Sequence, residues 1–193
     1  GVTTGERIGA GGYVSHMDPS GRTVPDPVTP LTVCVLGATG YVGGYVLDAL
    51  LELSKRMEIV FPVHPRTRQR LDTFGFTSRL ESAPGVHLCD PVGYLDMLAL
   101  QASARLVLID SGGIQEEAPS LGKPVLVMRE TTERPEAVEA GTVKLVGTST
   151  SRIVKEVSNL LDDATAYSKM SKASNPYGDG FSADRAVRIV IKF

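Results

Sequence analysis

Short apolar runs alternate with amphipathic stretches along most of the chain. Six runs rich in β-branched and aliphatic residues predict short strands buried on both faces of a sheet, at residues 31–36, 58–63, 86–89, 105–110, 124–128 and 142–146. Apolar residues with helical spacing predict helices near residues 42–56, 65–74, 91–103, 114–121, 151–161, 163–172 and 183–192. This alternation of the two periods is typical of an α/β protein.

The alternation also predicts how the strands are connected. Right-handed βαβ crossovers would give a single Rossmann-like, doubly wound parallel sheet of about six strands in the order 3-2-1-4-5-6. Two local expectations accompany this fold. Pro62 has no N–H to donate to a ladder and should need a sheet edge or a bulge. The helix near residues 91–103 should bury Leu95, Leu98 and Ala102.

The first 30 residues break this pattern. They hold six glycines and four prolines, which argue against a long helix or a central strand. We interpret residues 1–30 as an irregular N-terminal arm and residues 31–193 as one Rossmann-like domain. A chain of 193 residues has room for one full α/β domain and such an arm.

Composition narrows the classes of function. A net charge of −2, 6% aromatic residues and no Trp argue against electrostatic binding of nucleic acid and against a stacking platform for single strands. No apolar run approaches the roughly 18–20 residues of a membrane span, and the sequence starts without a signal-peptide pattern. Cys34 and Cys89 are too few for a disulfide framework and should be buried, reduced thiols. We expect a cytoplasmic protein that acts without nucleic acid, membrane or metal.

A glycine loop follows the first strand of this domain. Gly37, Gly40 and Gly43 have the spacing GxxGxxG between a strand and a helix, and they resemble the first βα unit of NAD(P)-binding Rossmann proteins. The second strand is followed by Arg66 and Arg68 instead of an acidic residue, which favours NADP over NAD. The sequence lacks the Tyr-x-x-x-Lys pair of short-chain dehydrogenases. The alternative is that these glycines only allow tight packing of strand and helix.

A second loop follows the fourth strand. Ser111, Gly112 and Gly113 open a helix there, and their N–H groups with the serine hydroxyl would form a cradle for an anion. Glu117 lies one turn further along and can reach a ribose whose diphosphate sits on the glycines. The alternative is that Glu116 and Glu117 only complement the helix dipole. The sequence leaves both interpretations open.

Residues 58–180 closely resemble the C-terminal domain of the non-hydrolysing UDP-N-acetylglucosamine 2-epimerases. Six segments carry the resemblance: residues 59–65, 86–96, 104–128, 129–136, 141–147 and 175–180. The region from residue 58 to residue 180 covers roughly two-thirds of the chain. The most specific of them runs from the fourth strand through the Ser-Gly-Gly-Ile-Gln-Glu-Glu loop to the fifth strand.

The resemblance implies a fold of the glycosyltransferase-B type, with substrate between two domains. Ser111–Gly113 would hold the UDP diphosphate, Glu117 the ribose, and the segment from Tyr94 to Met97 would lie near the uracil. His64 would face the cleft between the domains, and Arg134 would lie near the nucleotide. The family is an isomerase that eliminates UDP and adds it back, and its acid/base carboxylates belong to the N-terminal domain.

The sequence departs from the family pattern in two ways. It has no counterpart of the N-terminal domain, and the glycine loop 37–44 replaces the family's His-Arg-Arg-Glu loop, so the chain looks like a chimera. We expect a UDP-sugar-binding domain with no required cofactor and without full catalysis as a lone chain. Its partner would be a second copy or a separate N-terminal domain. The alternatives are an NADP-binding oxidoreductase-like domain and an engineered, non-catalytic scaffold.

Overall fold

A computed structural model describes residues 15–17, 23–25, 32–36, 44–178 and 180–191. Its strands are β1 (Ser15–Met17), β2 (Thr23–Pro25), β3 (Thr32–Leu36), β4 (Glu58–Pro62), β5 (Val86–Cys89), β6 (Leu106–Ile109), β7 (Val125–Val127) and β8 (Val143–Leu145). Its helices are α1 (Gly44–Leu53), α2 (Pro65–Thr73), α3 (Phe76–Glu81), α4 (Tyr94–Ser103), α5 (Ile114–Ser120), α6 (Pro135–Glu139), α7 (Thr150–Asp162), α8 (Ala164–Ser171) and α9 (Ser182–Val190). No helix in these described ranges is long and apolar enough to cross a membrane.

Strands β3 to β8 form one parallel sheet. Its order is β5-β4-β3-β6-β7-β8, which confirms the predicted 3-2-1-4-5-6 arrangement. The two central strands are in register from Val33 opposite Leu106 to Leu36 opposite Ile109. The carboxyl ends of β3 and β6 therefore meet at the same edge of the sheet, at the point where the strand order reverses.

Helices cover both faces of this sheet. On one face, Leu50 of α1 and Ile153 of α7 belong to a buried cluster with Val35 of β3. On the other face, Leu100 of α4 and Ala118 of α5 pack in a second cluster with strand residues that point to that side, such as Val107 of β6. Burial on both faces is the reason that the strands read as continuous apolar runs in the sequence.

Pro62 lies in an interior strand, so the expectation of a sheet edge or a bulge was wrong. Ile59 and Val63 donate their backbone N–H groups towards β5. Because successive residues of a parallel strand address opposite neighbours, position 62 faces β3. The register between β3 and β4 ends at Val60, two residues earlier. Proline is tolerated here because the ladder on that side has already ended.

The predicted inward face of α4 was also wrong. Of the three residues expected to be buried, Leu95 is 77% exposed, Ala102 is exposed and Leu98 is half-buried. Leu100 and Gln101 are buried instead. The buried side of the helix starts at the half-buried Met97 and follows the same helical spacing as the expected face. Spacing alone could not choose between the two faces, since the helix carries apolar residues on both.

Four short elements were not predicted from the sequence. Strands β1 and β2 pair antiparallel within the segment interpreted as an arm, and the rest of that segment lies outside the described residues. Helices α3 and α6 have six and five residues. Gly75, with a φ of 68°, separates α2 from α3 and so divides what would otherwise be one helix.

The two cysteines project to the same face of the sheet. Cys34 on β3 is fully buried and Cys89 on β5 is half-buried, so the expectation of burial holds fully only for Cys34. Burial raises the pKa of Cys34 to about 12 and that of Cys89 to about 11. Both are free thiols that stay protonated at neutral pH.

Gln101 is the least expected residue of the core. Its side chain on α4 is fully buried, and among the described residues neither its amide nitrogen nor its amide oxygen has a hydrogen-bond partner. Replacing Gln101 by Met, which has a similar volume, is expected to raise the free energy of unfolding by about 1–3 kcal/mol, since the desolvation cost of the amide disappears. Urea denaturation measures the change.

Gln69 provides the matched control for this substitution. It lies exposed on α2, so Gln69→Met should change the free energy of unfolding by less than about 0.5 kcal/mol. Equal stabilities for Gln101→Met and the unmodified chain would contradict the expectation.

Candidate functional site

The loop after β6 begins with a buried carboxylate. Asp110 is 9% exposed, and its Oδ1 accepts a hydrogen bond of 2.8 Å from Nε of Arg129. This hydrogen bond raises the pKa of Arg129 above its usual value. Arg129 follows β7, so the pair joins the carboxyl ends of two neighbouring strands. It fixes the direction in which the chain leaves β6 towards Ser111.

Gln115 connects this loop to the segment after β7. Its side chain is fully buried; Nε2 donates to the backbone oxygen of Ser111 at 3.2 Å, and Oε1 accepts from Oγ1 of Thr132 at 2.7 Å. Sequence reasoning missed Gln115. Its spacing of three and four residues from the buried Ala118 and Pro119 was the available signal that it points inward.

Arg134 contacts the first turn of α5, and its expected position near a nucleotide stays a prediction. Its Nε donates to Oε1 of Glu116, and its backbone N–H donates to Oγ1 of Thr132 at 3.1 Å. The hydrogen bond to Glu116, together with the charge of that carboxylate, raises the pKa of Arg134. Arg134 is thereby joined to the helix that follows the loop Ser111–Gly113.

Glu117 differs from its neighbour Glu116. It is half-buried on α5, and within the described part of the chain its carboxylate makes no hydrogen bond and no ion pair. Glu116 forms an ion pair with Arg134, so among the described residues only one of the two adjacent carboxylates is paired. The carboxylate of Glu117 is thus available to accept hydrogen bonds from a bound molecule.

Met97 lies on the same face of the sheet as α5. It is half-buried and packs against the same apolar cluster as Ile114, the first residue of α5. Its neighbours Tyr94 and Leu95 are 63% and 77% exposed. The first turn of α4 therefore exposes Tyr94 and Leu95 together with the carboxylate of Asp96, while Met97 anchors the turn to the core.

His64 has a local structural role. It is the N-cap residue of α2, and its Nδ1 accepts a hydrogen bond of 3.3 Å from the backbone N–H of Arg66. His64 is exposed and lies at the carboxyl end of β4, the same edge of the sheet as the other residues. Of the two arginines considered for an NADP phosphate, Arg68 forms an ion pair with Glu81 at 3.5 Å.

The other expected phosphate-binding loop cannot be placed. Gly37, Gly40 and Gly43 lie outside the described residues, so their role stays a prediction. Among the residues that are described, no group of three or more His, Cys, Asp or Glu side chains could hold a metal ion.

A comparison with known proteins identifies the family that this sequence resembles. The family model described as UDP-N-acetylglucosamine 2-epimerase matches residues 42–191. The match extends beyond residues 58–180 and takes in all of α1 and α9. The family match therefore includes α1, the helix that follows the glycine loop in the sequence.

Two curated relatives illustrate the likeness in sequence. A UDP-N-acetylglucosamine 2-epimerase of Escherichia coli K12 is 56% identical over 131 residues, which are 67% of this chain and 34% of the relative. The corresponding protein of Yersinia pestis is 48% identical over 153 residues, or 76% of this chain and 39% of the relative. The chain thus spans between a third and two-fifths of the length of these two relatives.

Solved structures give the same result for the fold. The UDP-GlcNAc 2-epimerase of Neisseria meningitidis bound to UDP-GlcNAc superimposes with a TM-score of 0.77 at 39% identity, covering 86% of this chain and 46% of that one. The enzyme of Methanocaldococcus jannaschii in complex with UDP-GlcNAc and UDP has a TM-score of 0.70 at 34% identity, with 84% and 45% covered. The predicted α/β architecture is confirmed by these neighbours.

Proposed function

The chain belongs to the UDP-N-acetylglucosamine 2-epimerase family, and we propose that it binds a UDP-sugar at the carboxyl edge of its sheet. The observation that carries the proposal is the family match over residues 42–191, which includes the whole loop after β6 and the residues packed around it. Solved relatives of this fold are described as bound to UDP-GlcNAc.

In this proposal the diphosphate lies on Ser111–Gly113 and the ribose lies at Glu117. The backbone supports the first part, because within the described part of the chain the N–H groups of residues 112–114 have no backbone hydrogen-bond partner and no side chain caps the helix at Gly113. The free carboxylate of Glu117 supports the second part, since a carboxylate can accept hydrogen bonds from both hydroxyls of a cis-diol. Arg134, paired with Glu116 on the first turn of α5, would lie near the nucleotide.

The uracil would lie near the first turn of α4, where Tyr94, Leu95 and Met97 offer apolar groups beside the carboxylate of Asp96. His64 would face the open side of the same edge. By the family resemblance, the acid/base carboxylates of the epimerisation belong to a domain outside these 193 residues. We therefore propose binding without appreciable turnover for the chain tested alone, since such groups contribute about 10²–10⁴-fold each.

A thermal titration tests this function. UDP at about 100 times its Kd should stabilise the fold by about 2.7 kcal/mol and raise the melting temperature by about 5–11 °C. UDP-GlcNAc should do the same, whereas NADP at equal concentration should not. In the same samples, NMR should find no exchange of the C2 proton of UDP-GlcNAc with solvent.

Each readout has an outcome that would contradict its part of the proposal. A shift with NADP alone would favour the oxidoreductase-like alternative based on the glycine loop. No shift with any of the three ligands would favour a non-catalytic scaffold. Exchange of the C2 proton would refute the absence of turnover while leaving UDP-sugar binding intact.

A further inference from the structure

One half of the loop Ser111–Gly113 is covered by a carboxylate. A Cβ built on Gly112 would lie 2.9 Å from Oε1 of Glu133, so this carboxylate lies directly against the loop. A Cβ built on Gly113 would meet nothing within 4 Å. The loop proposed to receive a diphosphate is thus open at Gly113 and occupied by an anionic group at Gly112.

Arg129 holds this carboxylate in place. While its Nε donates to Asp110, its Nη1 donates to Oε2 of Glu133 at 3.1 Å. Hydrogen bonding to its own backbone N–H and the charge of Arg129 lower the pKa of Glu133, so the group is ionised at neutral pH. The side chain of Glu133 is 55% exposed and can swing into solvent without leaving a buried charge behind.

The charges around the loop are unfavourable for an anionic ligand. Among the described residues, three carboxylates are hydrogen-bonded to two guanidinium groups there: Asp110, Glu116 and Glu133 to Arg129 and Arg134. Glu116 and Asp110 each neutralise one arginine. Glu133 is therefore a surplus negative charge at the position where a diphosphate is proposed to bind.

We propose that Glu133 is a placeholder for phosphate. Its carboxylate takes up the space above Gly112 and the Nη1 hydrogen bond of Arg129, and it swings into solvent when a diphosphate binds. This inference rests on the proposed function, since it concerns the same loop. Its consequence is that Glu133 competes with every ligand that carries phosphate there, and with no ligand that lacks it.

The test compares two ligands that differ only in phosphate. Glu133→Gln removes the charge and keeps the shape of the side chain, and it should raise the affinity for UDP about two- to fivefold, in line with the energy of a half-exposed charge pair. The affinity for uridine, which has no phosphate, should not change. Glu139→Gln is the matched control, because Glu139 is an exposed carboxylate at the end of α6.

The outcomes separate this inference from the proposed function. An unchanged UDP affinity in Glu133→Gln, an equal gain for uridine, or an equal gain in Glu139→Gln would overturn the placeholder role and leave UDP binding intact. No UDP binding by the unmodified chain or by any variant would overturn the proposed function itself. Glu133→Ala is a second variant, expected to change UDP affinity in the same direction, and melting temperatures confirm that each variant is folded.

Discussion

Replacing Glu117 by glutamine is expected to weaken UDP binding by about 30- to 100-fold, which corresponds to about 2–3 kcal/mol. The substitution keeps the size of the side chain but removes the charge that would strengthen hydrogen bonds from two ribose hydroxyls. Isothermal titration calorimetry measures the loss. Because Glu117 has no partner among the described residues, its replacement leaves no other charge uncompensated, and the stability of the fold should change little.

A ligand lacking one hydroxyl sharpens this experiment. If Glu117 binds the ribose, the unmodified chain should bind 2′-deoxy-UDP less tightly than UDP. The Glu117→Gln variant should bind the two ligands with nearly equal affinity. Such a cycle isolates the contact between the carboxylate and the hydroxyl. If replacing UDP by 2′-deoxy-UDP lowered the affinity by the same factor in both proteins, Glu117 would not contact the ribose 2′-hydroxyl. Glu139→Gln again controls for the change in net charge.

Replacing Gly85 by alanine is expected to lower the free energy of unfolding by about 3 kcal/mol or more, the upper range for overpacking a core. Gly85 is buried at the entry to β5, where an added Cβ would lie 2.4 Å from the backbone oxygen of Ser54 and 2.7 Å from that of Met57. These atoms belong to the turn between α1 and β4. They can move only if the whole turn moves.

Gly113 offers a matched control for this prediction. A Cβ added there would meet nothing within 4 Å, and its φ of −63° suits alanine. Gly113→Ala should therefore change the free energy of unfolding by less than about 1 kcal/mol. Chemical denaturation compares the two variants, and equal losses of stability would contradict the steric explanation.

The sheet could be predicted from the sequence because each of its six strands is a short, continuous apolar run between helical patterns. The order of the strands followed from the handedness of the crossovers. The face of α4 could not be predicted, since apolar residues occur on both of its sides. Pro62 was misjudged because its tolerance depends on where the neighbouring ladder ends, which only the register reveals.

The candidate site could also be predicted from the sequence only in part. Ser111–Gly113 and Glu117 stand out in the sequence as a strand end followed by small residues and carboxylates. The residues that hold this loop in position do not stand out in the sequence. Gln115, Arg129 and Glu133 act through contacts between separate loops, and their spacing along the chain carries no motif of its own.

Gln115 has a consequence for the rate at which ligands bind. Its two hydrogen bonds hold the backbone of Ser111 and the side chain of Thr132, so the loop between β6 and α5 needs little ordering when a ligand arrives. The association rate of a ligand should then depend on how often it meets the site by diffusion and on the charges around the site. Differences in affinity among related nucleotides should appear mainly in how long each stays bound, as is usual for a preformed site.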